Sequence, residues 1–289
     1  MANLYEPPSF VQHFQKLPPD HLYHYTGQIG LLGIVESAEL WATKIQYMND
    51  ATEFGRALAI ARQELETFMN GTEIRAEKAA CAKLLHSLSG VDDINIFAVC
   101  FCEDGDLLSQ WRGYTGGTYG YSIGFHTESL MHIASLRNFS FGKCIYEAEV
   151  QRTIVREAIT HCVEGEVAIP SRAQWGYHGP LADILFRCGV FFKDPSFEEE
   201  REWRLTSSTV NFYDEQLGYR RGTSMITPFY KLPIKPEGSL PIQRVFIGPS
   251  PRMQQATSVV TSLLMSNGVQ GPQQGRPIAF PSSIPFRNW

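Results

Sequence analysis

Short apolar strands and helical segments of unequal length follow one another in this 289-residue chain without regular alternation. That order argues for an α+β fold and against a doubly wound parallel sheet. Strands are predicted at 22–26 (LYHYT), 39–43 (ELWAT), 96–102 (IFAVCFC), 120–125 (GYSIGF), 141–146 and 244–248 (RVFIG), with a last one at PIAF. Helical stretches fall over GQIGLLGIV, as a pair across about 50–90, and then over 154–162, 181–188 and 253–263. In the first helix of the pair, Phe54, Leu58, Ala61, Leu65 and Phe68 alternate spacings of four and three, and Asp50 with Glu53 forms a capping box before them. SQWRGYTGG reads as a polar connection, a candidate active-site loop between two strands. The expected organisation is a single domain over 1–289, with a helical insertion at about 50–90 and a basic part at about 205–289.

A hydrophobic content of 43% supports a sizeable core and excludes a disordered or fibrous chain. No apolar stretch approaches the roughly 20 residues of a membrane span, and MANLYEPPSF lacks the basic and apolar regions of a signal peptide, so a cytoplasmic protein with no membrane partner is expected. The net charge of -5 is unevenly spread: residues 205–289 hold eight Lys and Arg against three acids. That excess either faces phosphates or simply solubilises loops. Six cysteines match no disulfide framework in a chain of this size and read as free thiols; Cys100 and Cys102 share one strand face and cannot close a four-ligand site unaided, so no metal is expected.

GxxxxGK[ST], HExxH, GxSxG and CxxC are all absent, which removes the common nucleotide hydrolase, zinc protease and serine hydrolase signatures. Gly27, Gly30 and Gly33 follow a strand and open a helix, but their spacing is not that of a dinucleotide fingerprint and fits close packing at the helix start. His24 and Thr26 point to one face of their strand and Tyr25 to the other; the row either grips a ribose or ends in a histidine bonded to backbone. Glu200 and Glu202 share one face at the start of a later strand, either as a solvated acidic edge or as the two carboxylates of a glycosyl-transfer site.

The series LYHYTG, LWAT, MNDATE, CFCEDGDLLSQWRGY, GYSIGF, FKDPSFEEEREWRL, VFIGPS and SIPFR resembles the bacterial domain-of-unknown-function family 2971 over nearly the whole chain. Through the H-Y-T strand and the late E-x-E strand, that family resembles the ADP-ribosyltransferase superfamily, although the superfamily's middle S-T-S triplet is missing here. The resemblance implies a split, mixed β core with helical insertions, NAD as co-substrate, cleavage of its nicotinamide–ribose bond, and a toxin or phage-defence role with an inhibitory antitoxin partner. It places Glu202 first as the catalytic carboxylate and Glu200 as the one orienting the acceptor, with the reverse assignment open. His24, assisted by Thr26, would hold a ribose hydroxyl, while Tyr25 is either a ring against NAD or a core residue. Ser109, Gln110, Trp111, Arg112 and Tyr114 supply the middle motif, an aromatic for nicotinamide and a guanidinium for the pyrophosphate, with Trp111 as a core aromatic the other reading.

Arg204 in EREWRL, with Arg220 and Arg221 in the basic segment after it, are expected as substrate contacts for an anionic macromolecular acceptor, RNA or DNA in preference to protein. Two rival activities are an NAD glycohydrolase, in which water replaces the acceptor, and an inactive nucleotide-binding or protein-interaction module.

Overall fold

The computed structural model describes residues 5–48, 53–89, 91, 94–114, 119–168, 179–222, 224–235, 238–269 and 278–285. In chain order these form α1 (Pro8–Phe14), β1 (His21–Gly27), α2 (Gln28–Ser37), β2 (Glu39–Lys44), α3 (Glu53–Gly71), α4 (Arg75–Ser87), β3 (Phe97–Cys102), α5 (Leu108–Tyr114), β4 (Gly120–His126), α6 (Thr127–Arg137) and β5 (Phe139–Lys143). There follow α7 (Ala148–Ala168), α8 (Pro180–Cys188), a 3-10 helix at Pro195–Glu200, β6 (Glu202–Ser207), β7 (Leu217–Arg221), β8 (Ile226–Pro233), β9 (Ile242–Ile247), α9 (Met253–Ser266) and β10 (Ala279–Pro281). The fold is α+β, with a large mixed sheet and many helices. None of the described helices is long and apolar enough to cross a membrane.

Strand order runs β10-β9-β4-β1-β3-β2-β8-β7, with β6 and β5 joined to it through β3. β3 carries the junction. One of its edges pairs with β6 from Ala98 to Cys102. The other is divided: β2 takes its start through Thr43–Ala98 and Lys44–Phe97, and β1 takes its end through Tyr23–Cys102 alone. β1 instead pairs along its whole length with β4. The sheet therefore forks at β3, with β1 and β4 in one arm and β2, β8 and β7 in the other.

The alternation of apolar residues decides which face each arm buries. Leu22, Val99, Phe101 and Leu205 pack beneath α2, α6 and α9 in one core. Tyr23, Tyr25, Cys102 and Trp111 form a small cluster on the opposite side. A second large core lies among α1, α3, α4, α7 and α8, where the predicted stripe of Phe54, Leu58, Ala61 and Leu65 is buried. The capping box at Asp50 lies outside the described residues, as does Asn49.

The polar connection is corrected. SQWRGY is the helix α5, begun by the Trp111 amide donating to the Leu107 carbonyl at 3.1 Å. Two further helices, α1 and α6, were not predicted, and the strand expected at 141–146 lies at Phe139–Lys143. All six cysteines are free. Gly30 packs its bare α-carbon against the Thr26 side chain; a Cβ there would lie 1.9 Å from Thr26 Oγ1. Of the glycine set only Gly30 serves packing at the start of α2; a Cβ at Gly27 or Gly33 would meet nothing within 4 Å.

Candidate functional site

A small cavity of about 30 Å³ opens at the fork. β1 contributes Tyr23, His24 and Tyr25; β3 contributes Cys100, Phe101 and Cys102; α5 contributes Gln110 and Tyr114; and the turn into β6 contributes Glu200 and Glu202. Residues predicted from three distant parts of the sequence thus line one space.

His24 sits where β1 leaves β3. Its Nδ1 lies 2.9 Å from the Cys100 carbonyl, which is a pure acceptor, so Nδ1 carries the proton. Nε2 is then a bare acceptor with no partner among the described residues. Burial, and after it the nearby positive charge of Arg220, push the imidazole pKa below its usual value against the opposing carbonyl bond. His24 is therefore a neutral acceptor at pH 7. Its bond to backbone, one of the two readings of the sequence, coexists with a place in the cavity wall.

Glu200 and Glu202 do not share a strand face as expected. Glu200 ends the 3-10 helix, Arg201 turns the chain in the left-handed region at φ 42°, and Glu202 begins β6. Such a conformation is uncommon and costly for a residue with a side chain. The two carboxylates meet instead on Lys193, a residue the sequence reading missed. Lys193 Nζ donates to Glu200 Oε2 at 2.6 Å and also to Glu202 Oε2. Arg204 Nε donates to Glu202 Oε1 at 2.6 Å, and its NH1 donates to the Val190 carbonyl at 2.6 Å.

Glu202, Lys193 and Arg204 are 2%, 2% and 0% exposed, so the network is internal. Burial raises the Glu202 pKa, but Arg204 and Lys193 together outweigh it and hold the carboxyl well below the usual carboxylate range. The backbone of Glu202 is clamped as well: its N–H donates to the Tyr146 hydroxyl at 2.9 Å and its carbonyl accepts from the Cys144 amide at 2.8 Å. Glu200 is looser. One of its oxygens accepts from Lys193, and the other has no partner among the described residues.

Arg204 is corrected accordingly: a fully buried guanidinium committed to Glu202 does not contact a substrate. Trp111 is the core aromatic of the two readings, 2% exposed, with Nε1 donating to Asp106 Oδ1 at 2.8 Å and its ring edge-on to Tyr25 at 4.8 Å. Tyr25 both lines the cavity and braces its floor, donating to the Asp104 carbonyl at 2.8 Å and accepting from the Leu107 amide at 2.9 Å. Asp106 also accepts from the Ser283 amide at 2.7 Å, which fastens the C-terminal segment to this floor. Ser109 donates to Glu199, and neither it, Arg112 nor Thr26 lines the cavity. Tyr114 does line it, its phenol pKa raised by burial and then by Cys100, Glu202 and Glu200.

Gln110 is 5% exposed, lines the cavity, and its amide has no hydrogen-bond partner among the described residues. Arg220 and Arg221 are separated by strand alternation, pointing to opposite faces of β7. No group of three metal-ligating side chains exists among the described residues.

Residues 110–205 match the family of proteins of unknown function numbered 2971. That stretch carries α5 from Gln110 onward, Lys193, both glutamates and Arg204, while His24 and Ser109 lie before it. No curated protein and no solved structure matches the chain significantly.

Proposed function

We propose that this chain is an NAD-dependent ADP-ribosyltransferase whose fork cavity receives the nicotinamide-ribose part of NAD. One observation carries the reading: a neutral histidine acceptor, a side-chain amide and a paired carboxylate site converge on one cavity from β1, α5 and β6. The cavity as it stands has a volume of about 30 Å³, room for about one water molecule and below the range of small-molecule sites. In this reading the side chains around it move apart to admit the pyridine ring and its ribose, and the adenylate half of the dinucleotide stays outside.

In this arrangement His24 Nε2 accepts from a ribose hydroxyl and the Gln110 amide pairs with the carboxamide. The bond from the anomeric carbon to the pyridine nitrogen breaks, its electron pair leaves with nicotinamide, and the ribosyl centre becomes cation-like. Glu200, the carboxylate with an uncommitted oxygen, faces that charge. Glu202 acts at one remove: it fixes Lys193, and Lys193 fixes Glu200. The acceptor nucleophile forms the new bond and releases its proton to a carboxylate or to water.

The test is incubation of the pure protein with NAD and a mixture of RNA, single-stranded DNA and cellular protein. Release of nicotinamide with ADP-ribose bound to an acceptor is the expected result. Free ADP-ribose alone would make the protein a glycohydrolase, and unchanged NAD would overturn the reading. Replacing His24 with Ala is expected to weaken NAD binding by roughly tenfold, the worth of one hydrogen bond to a buried acceptor. Calorimetric titration checks this, and an unchanged Kd would return His24 to a structural role.

A further inference from the structure

The arm of the fork opposite His24 carries its own polar and aromatic groups. Register places Trp41 opposite Lys231, Thr43 opposite Phe229, Gly218 opposite Phe229 and Arg220 opposite Thr227. Residues directly opposite share a face, so Trp41, Thr43, Phe229, Lys231 and Arg220 all lie on one side of β2, β8 and β7. Thr43 is also opposite Ala98, which puts this face on the same side of the sheet as Cys100 and Glu202.

Arg220 is half-buried and donates to Thr43 Oγ1 at 2.8 Å, and no carboxylate among the described residues pairs with it. A guanidinium drawn out of water normally has an anionic partner. Burial lowers the Arg220 pKa, and its charge reaches His24 in the cavity wall. Trp41 lies stacked on Phe229, ring centroids 4.3 Å apart at 22°, and its outer surface leaves it 41% exposed. Gly218 makes the platform possible: a Cβ there would meet the Phe229 ring at 2.7 Å. Along β2, Thr43 and Trp41 are two residues apart, roughly 7 Å, comparable with the span from the phosphate to the base of a mononucleotide.

We propose that this face is the subsite for the adenylate half of NAD, with Arg220 on a phosphate and Trp41 stacked on the base. The assignment rests on the NAD reading of the cavity and places the half of the dinucleotide that the cavity does not hold.

Calorimetric titration of the full chain with AMP and with inorganic pyrophosphate tests it. The wild type is expected to bind both. Arg220→Gln is expected to bind both at least roughly tenfold more weakly, as befits a lost charge-assisted hydrogen bond, and Arg220→Lys to recover part of the loss. Trp41→Leu is expected to weaken AMP while leaving pyrophosphate unchanged, with thermal unfolding showing each variant folded. AMP should also compete with NAD. Binding of neither probe by the wild type, wild-type affinities in Arg220→Gln, or simultaneous binding of AMP and NAD would each overturn the subsite. NAD turnover on the same samples separates the two ideas. Binding of AMP through Arg220 without NAD turnover sustains a nucleotide subsite and sinks the transferase reading; NAD turnover with Arg220→Gln binding unchanged does the reverse.

Discussion

Replacing Glu202 with Gln is expected to destabilise the folded chain by about 3–5 kcal/mol, the cost of leaving buried cations short of their counter-ion. Both carboxylate oxygens of Glu202 are used, one by Arg204 and one by Lys193, inside a region almost closed to water. A glutamine offers one acceptor oxygen and no charge, so Lys193 would keep only Glu200 as counter-ion and Arg204 would lose its carboxylate partner. Chemical denaturation of wild type and variant, compared at equal m-values, measures the difference. A loss below about 1 kcal/mol, the range of exposed ion pairs, would mean that solvent already screens the network. Acid adds an independent signature. The folded-state pKa of Glu202 is depressed from its ordinary 4.5, so the ion pairs contribute fully above that pH. Below it the unfolded chain takes up a proton that the folded chain refuses, and the contribution is lost as pH falls toward the folded pKa. Wild-type stability should therefore fall more steeply below pH 4.5 than that of the Glu202→Gln variant.

The parts of this site that local pattern encodes were legible, and those that depend on long-range pairing were not. β1, β2, β3 and β4 announce themselves by short apolar runs bounded by polar residues and glycine, and α3 by its buried stripe of Phe54, Leu58, Ala61 and Leu65. α5 hid because SQWRGY lies between glycine-rich and acidic stretches that read as loop, while the contacts that hold it, Trp111 to Asp106 and Tyr25, come from tertiary structure. α6 carries a helical signal in Leu130, Ile133 and Ala134, ended by Asn138 in the left-handed region, but it fills a short span between two strands. Lys193 also left a trace. A lysine directly after Val190, Phe191 and Phe192, all buried, is a charge in an apolar run that calls for acidic partners. The fork itself has no local signal, since it consists of which strand takes which part of one edge of β3. Arg201 in the left-handed region, which separates the roles of Glu200 and Glu202, is equally invisible in an EEEREW string because Arg carries no preference for that conformation.

Glu200→Gln is expected to leave stability within about 1 kcal/mol of wild type, the range of an ordinary partly exposed change, while lowering the rate of nicotinamide release by roughly 10²-fold or more. The asymmetry follows from the network. Lys193 keeps Glu202, so removing the Glu200 charge strands no buried cation, and the glutamine oxygen still accepts from Lys193 Nζ at the position that Glu200 Oε2 holds 2.6 Å away. What disappears is the negative charge on the oxygen that no described residue occupies, and such a charge acts on a ribosyl cation far more than on neutral ribose. The loss should therefore fall on kcat, with KM for NAD nearly unchanged. Lys193→Met separates positioning from charge: it releases Glu200 without neutralising it, and should raise KM and lower kcat together, with a stability loss that Glu200→Gln does not show. Nicotinamide release at saturating NAD, measured beside thermal unfolding of the same preparations, decides the matter. A Glu200→Gln variant turning over at the wild-type rate would move the reacting carboxylate to Glu202, despite its two cations, and would leave Glu200 as no more than a second counter-ion for Lys193.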